Sequence, residues 1–186
     1  GSMQATQCGP IRQNDMQQGE VYDARFEGSL TGWHGVRAYR DDLPITGMNT
    51  VPILEHEAFP GKLLQTPNGE TVLDFGQNIA GYVEMALTAR AGQKVKLTCG
   101  EALDENGNFY TENLSWAKAT DTYILGGGKQ TLHPHFTWHG FRYICVEGLQ
   151  YGQNVQFTAC HLSTDLAQTG HFTCSDKRVN RLQQNI

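Results

Sequence analysis

From about residue 51 to residue 162 apolar and polar residues alternate in short runs, and this period of two limits the available folds more than any single motif. Successive side chains of a strand point to opposite faces, so each such run buries one face and wets the other. In Val83-Glu84-Met85-Ala86-Leu87-Thr88-Ala89, positions 83, 85, 87 and 89 share a face. Val95, Leu97 and Cys99 repeat the pattern beyond Ala91-Gly92-Gln93, and the spacing predicts a hairpin from the two runs. Further strands are expected over 122–125, 136–146 and 155–159, separated by Gly126-Gly127-Gly128 and by Tyr151-Gly152-Gln153-Asn154. With 21 glycines in 186 residues and turns at regular intervals, a mainly β chain folded as an antiparallel two-sheet sandwich fits better than a helical or βαβ fold.

The two ends read differently. Gly28-Ser29-Leu30-Thr31-Gly32 and Asp41-Asp42-Leu43-Pro44 break any period, so residues 1–50 are expected to be a loop-rich lead-in, with Gly1-Ser2 a tag-cleavage scar. Near the C-terminus Ser175 is a suitable N-cap, and Val179, Leu182 and Ile186 follow at helical spacing, which predicts a short amphipathic helix. Two explanations are open for a stripe that runs to the last residue: truncation of a larger protein, or a short docked terminal helix.

Charge and cysteine usage remove several classes of function. A net charge of -5 with 14 Lys and Arg spread thinly leaves no basic stripe to neutralise phosphates, so nucleic acid is not an expected partner. No run approaches the roughly 20 apolar residues of a spanning helix. The five cysteines, Cys8, Cys99, Cys145, Cys160 and Cys174, are odd in number with no CxxC, so buried thiols are expected rather than a disulfide framework or zinc ribbon.

Motifs with chemistry are sparse. Carboxylates cluster at Glu20, Asp23 and Glu27 and at Glu101, Asp104, Glu105 and Glu112, but both clusters lie among turn residues, and spacing sets no pair across a cleft as glycoside hydrolysis requires. No catalytic residue is assigned. Asp104-Glu105-Asn106-Gly107-Asn108 resembles the start of a calcium loop, yet position 12 falls at Ser115, so a hairpin turn with Asn-Gly at its tip is expected. His133, His135 and His139 share parity, but Pro134 and Gly140 interrupt the strand and no fourth ligand is suggested, so no metal or other cofactor is expected. Cys160-His161 are strand neighbours and point apart, which excludes a thiolate-imidazolium couple. Trp33, Trp116 and Trp138 could stack on sugar rings through their indole faces, although tryptophans of this kind usually serve a core.

Several ordered segments together resemble the bacterial α-L-rhamnosidases of glycoside hydrolase family 78, in the β-rich region before their catalytic domain. They are residues 19–25 (GEVYDAR) with Gly32-Trp33, residues 74–81 (DFGQNIAG), Glu101-Ala102-Leu103-Asp104, Tyr110-Thr111-Glu112-Asn113-Leu114, Thr120-Asp121-Thr122-Tyr123, and residues 133–143 (HPHFTWHGFRY). The resemblance implies that residues 3–44 are the tail of a preceding β-domain and its linker. It makes residues 45–165 a concanavalin-like, jelly-roll-type sandwich, and residues 166–186 a linker and the start of a helical-barrel catalytic domain.

By the same resemblance the parent hydrolyses terminal α-L-rhamnosyl linkages with inversion, using acids in the barrel beyond residue 186. The segment would be non-catalytic, and its partners would be the barrel and, through the parent, rhamnosylated glycans. Trp33, Asn113, Trp116, Trp138 and Arg142 are the candidates for contact with sugar or with the barrel, together with Phe141, Val179, Leu182 and Ile186 for the barrel alone. Ser115 stands where many relatives carry Arg after the Asn-Leu pair. An autonomous carbohydrate-binding module is the alternative, and the compartment, cytoplasmic, periplasmic or secreted, stays open.

Overall fold

The computed structural model describes residues 2–28, 30–40, 42–150 and 152–185. Among these, ten strands share one hydrogen-bonded network: β1 (Ile11–Asp15), β2 (Gly19–Asp23), β3 (Ile53–Pro60), β4 (Lys62–Gln65), β5 (Thr71–Ala89), β6 (Lys94–Gly100), β7 (Thr120–Ile124), β8 (Gly128–Leu132), β9 (His139–Glu147) and β10 (Val155–Thr164). The order is β1-β2-β7-β6-β9-β5-β10-β3, with β4 and β8 also on β5. Pairing is antiparallel except between β7 and β2, which run parallel with Tyr123 opposite Tyr22. One helix, α1 (Lys177–Gln184), follows.

Strand β5 turns this network into a sandwich. It is 19 residues long, far beyond the five or six of an ordinary strand. Near its start it lies between β4 and β9, whereas from Gly81 onward it pairs with β10 and from Met85 with β8. It thus leaves one layer and enters the other. Gly76, at φ +84°, supplies the bend in a backbone region that side chains disfavour, and residues 76–78 are exposed where the strand crosses. Parity survives the bend, since Leu73, Phe75, Ile79, Val83, Met85 and Leu87 are all buried. At Gly81 the neighbouring strand passes so close that an added Cβ would lie 1.9 Å from the Cys160 carbonyl oxygen. The sheet can close there only on a residue without a side chain.

The core lies between the layers. Tyr123, Phe141, Met85, Leu97, Leu125 and Ile144 are its largest apolar members with almost no exposed surface, and the Phe75 and Phe141 rings meet edge to face with centroids 5.7 Å apart. Each such side chain contributes roughly 1.5–3 kcal/mol by leaving water. Phe141 therefore belongs to the core and has no surface to offer a neighbouring domain.

Three expectations need correction. The run 83–89 and the run 95–99 form no hairpin: β6 pairs with β7 and β9, while the second half of β5 pairs with β10 and β8. The turn at Ala91-Gly92 instead carries the chain from one layer to the other, so the two apolar faces meet across the core. Residues 11–23 are not merely loop, because β1 and β2 extend the first layer and Glu20, Tyr22 and Asp23 are buried. The helix is capped one residue later than Ser175, by Asp176, whose carboxylate accepts the Arg178 N–H at 2.8 Å. Of the expected helix stripe, Val179 and Leu182 are exposed and Ile186 lies outside the described residues, as do Gly1 of the expected scar and Tyr151 of the expected turn.

Candidate functional site

Segments far apart in the chain meet at the edge where β5 bends. The Asn78 amide donates to Glu101 Oε1 at 2.9 Å, and the Asn113 amide donates to Oε2 of the same carboxylate at 3.4 Å. Asn78 sits on the bend, Glu101 follows the last residue of β6, and Asn113 lies in a short 3-10 turn, Glu112–Leu114. Gly140 of β9 flanks the carboxylate, with its missing Cβ position 3.5 Å from Oε1. All four positions are exposed. Beside this cradle Arg142 donates two hydrogen bonds to Asp74, at 2.9 and 3.0 Å, and the guanidinium lies 4.9 Å from the Tyr143 ring centre. Hydrogen bonding from Arg142 is the main cause that holds the Asp74 carboxyl below its ordinary range, helped by the Gly76 N–H and opposed by burial.

A second polar cluster is built around a buried carboxylate. Glu20 has no exposed surface; its carboxylate accepts from the Asn14 amide at 2.7 Å and from the His135 backbone N–H at 2.9 Å, and lies 3.0 Å from His135 Nδ1. Its own N–H donates to Asp121 Oδ1 at 2.8 Å, and the same oxygen lies 3.4 Å from His139 Nε2. The Thr137 hydroxyl donates to the Asn14 side-chain oxygen, which ties the segment before β9 to the N-terminal hairpin. Tyr22 stacks on His135 at 4.8 Å, His135 on His133 at 5.4 Å, and His133 lies tilted against Tyr82 at 5.3 Å. The three histidines therefore serve different partners, and among the described residues no group of three or more His, Cys, Asp or Glu is placed to hold a metal. Burial pushes the Cys99 thiol well above its usual value and that of Cys160 up to about 11, which keeps both protonated at neutral pH.

The tryptophans are not core. Trp33, Trp116 and Trp138 are 49%, 66% and 45% exposed. Trp33 borders a shallow apolar depression with Pro10, Phe26 and Leu30, and its indole N–H donates to the Leu30 carbonyl at 3.2 Å. Trp116 is flanked by Ser115 and Ala117, which edge a polar groove of about 510 Å³ on the outer face of the first layer, lined also by Gln18, Lys96, Thr98, Thr120, Thr122 and Glu147. Asn113 and Arg142 thus share the surface at the bend, whereas Trp33 and Trp116 border other surfaces. Asp104-Glu105-Asn106-Gly107-Asn108 is a tight turn in which the Asp104 carboxylate accepts the N–H groups of Asn106 and Asn108, joining Ala102–Leu103 to Phe109–Tyr110. Sequence reasoning did not anticipate the partners of Glu20. The contact with His135 spans 115 positions, and no local pattern signals it.

Residues 64–163 match the family model of the bacterial alpha-L-rhamnosidase concanavalin-like domain. An alpha-L-rhamnosidase of Streptomyces avermitilis is 36% identical over 191 residues, covering 96% of this chain and 18% of that protein. The crystal structure of the S. avermitilis alpha-L-rhamnosidase complexed with L-rhamnose superposes with a TM-score of 0.84 at 35% identity, over 95% of this chain and 18% of that one. The native enzyme from Aspergillus terreus gives 0.83 at 32% identity, over 95% and 22%. The chain spans about a fifth of the length of the relatives it matches.

Proposed function

Because the chain belongs to the bacterial α-L-rhamnosidase concanavalin-like domain family, we propose that it is the supporting, non-catalytic sandwich of a longer α-L-rhamnosidase. In this reading residues 45–165 are the sandwich proper, residues 3–44 come from a preceding β-domain that lends β1 and β2, and residues 166–186 lead into a helical barrel. The parent cleaves terminal α-L-rhamnosyl linkages with inversion, and the sandwich packs against the barrel and shapes the approach of rhamnosylated glycans.

The observation that carries the reading is how the carboxylates are employed. Inversion needs an acid and a base roughly 6.5–9.5 Å apart, facing a space that admits sugar and water. Glu20 and Asp121 are enclosed in protein, Asp74 is committed to Arg142, and Asp104 closes a turn. Glu101 is exposed but held by two amides rather than by an opposing acid. Exposed Tyr39, Leu166 and Phe172 on the flanking segments, with Ile45 and Met48 at the start of the sandwich span, add apolar surface of the kind that a neighbouring domain covers. The test is an assay of this chain on an aryl α-L-rhamnoside. No turnover is expected, and activity that survives repurification overturns the reading.

The groove beside Trp116 favours a second reading, a carbohydrate-binding module: an exposed indole next to amide, hydroxyl, Lys and Glu side chains suits a sugar ring. Titration with rhamnose and rhamnosylated oligosaccharides separates the two. Saturable shifts lost in Trp116→Ala favour binding, and their absence favours support.

A further inference from the structure

We propose that the Glu101 cradle is the polar anchor of the interface with the rest of the parent and that it receives an arginine guanidinium there, an inference that rests on the supporting role above. Exposed glutamates ordinarily sample many rotamers, and holding one still costs conformational entropy. Here Asn78 and Asn113 hold Glu101 from two different segments, each amide on a different oxygen. A carboxylate has about four acceptor positions, so each oxygen keeps one free. One free position on each oxygen of a planar group matches the two N–H donors of a guanidinium, a pairing that the point charge of a lysine does not exploit.

The surroundings leave room for that donor. Among the described residues Glu101 forms no ion pair, and the nearby Arg142 is oriented on Asp74 through its Nε and Nη2 edge. Gly140 presents no side chain toward Oε1, which leaves that flank of the carboxylate open. Asn78 and Gly140 sit on β5 and β9 and Glu101 directly follows β6, so three of the four positions are set by the sheet, and Asn113 joins them from the 3-10 turn. The occupant is assigned to the parent because four-fifths of the length of the relatives lies outside the matching segment, enough for a whole domain to sit against this edge.

Carbodiimide labelling of carboxylates, read by mass spectrometry, tests this on this chain and on the protein from the complete reading frame. Glu101 is expected to label readily in the 186-residue chain and about tenfold or more slowly in the longer protein, as a desolvated charge pair would. Glu57, exposed on β3, is the internal control and should label alike in both. Phenylglyoxal labelling of the longer protein should then find one arginine outside residues 1–186 that reacts only in the Glu101→Gln variant. Equal Glu101 labelling in the two proteins overturns the inference while the supporting role stands, provided the short chain stays inactive. Protection of Glu101 without a newly reactive arginine also overturns it. So does protection that grows with the concentration of the short chain, which would make a second copy the occupant. Turnover by the short chain defeats the supporting role itself.

Discussion

Removing the Glu20 carboxylate should be among the most damaging single changes on the polar side of this fold. In Glu20→Ala, the Asn14 amide and the His135 backbone N–H lose their acceptor and His135 Nδ1 loses its partner, all on the wall of a pocket whose centre, Glu20, has no exposed surface although Asn14 and His135 reach solvent on their far sides. Each orphaned group costs about 1–3 kcal/mol where burial keeps water away and less where water can reach it, so a loss of about 2–4 kcal/mol in all is expected. Glu20→Gln behaves differently. Its carbonyl oxygen can take the place of Oε2 and accept from both Asn14 and His135 N–H, while its amide donates to His135 Nδ1 in the other tautomer, so a cost of about 1 kcal/mol is expected. With a urea slope of roughly 2 kcal/mol/M for a chain of this size, the Ala midpoint should fall by about 1–2 M and the Gln midpoint by about 0.5 M. Equilibrium urea unfolding followed by tryptophan fluorescence measures both. Equal losses for the two variants, or a loss below about 1 kcal/mol for Ala, would refute the idea that this carboxylate pins the N-terminal hairpin to the sandwich.

Gly81→Ala forces a Cβ to within 1.9 Å of the Cys160 carbonyl, so β5 and β10 must part and about 3 kcal/mol should be lost in the same unfolding assay; a near-neutral result would mean the strands can separate freely there. Tyr123→Phe removes a hydroxyl that is buried without a hydrogen-bond partner, and stability should hold or rise by up to about 1 kcal/mol, whereas a clear loss in thermal melting would reveal a partner for that group. Asp74→Asn should cost about 1–2 kcal/mol at neutral pH by weakening the paired bonds to Arg142. The Asp74 carboxyl sits below its ordinary value of 3.8 in the folded chain, so its contribution is complete above that value and is lost as pH falls through the lower folded one. Wild type and Asp74→Asn should therefore converge in stability in acid, and a gap that stays constant below pH 3.8 would rule this out.

Alternation along the chain made the buried face of each strand legible but not its partners. Val83, Met85 and Leu87 and Val95, Leu97 and Cys99 are buried as their parity predicts. The turn between the two runs joins layers rather than neighbours, and a sequence pattern of period two is the same for a strand laid beside its predecessor and for one folded over it. The short Ala91-Gly92-Gln93 link suggested a hairpin because two-sided pairing is the commoner use of a tight turn. What decided otherwise is that the second half of β5 already has β10 and β8 on its two edges, which only long-range contacts could reveal. The N-terminal strands were missed for a related reason: β2 is completed by a parallel neighbour about a hundred positions away, and its inward Glu20 looks like a surface residue until His135 and Asn14 are placed around it.

The same logic explains why the carboxylates could be listed from the sequence but not given roles. Glu20 and Glu101 both stood in acid-containing stretches among turn residues, and both proved to be held by asparagine amides, yet one is sealed and the other faces solvent. A buried carboxylate with its hydrogen bonds met is a structural element: removing it leaves donors stranded, and no substrate can reach it. An exposed carboxylate with half its acceptor positions filled is the opposite case, because the fold has fixed its orientation without using its charge. Glu20 thus belongs to the integrity of this segment, and Glu101 to whatever the segment meets. The two substitutions should separate accordingly. Glu20→Ala lowers the stability of the isolated chain, whereas Glu101→Gln, with its side chain already in water, should leave that stability within about 0.5 kcal/mol of wild type.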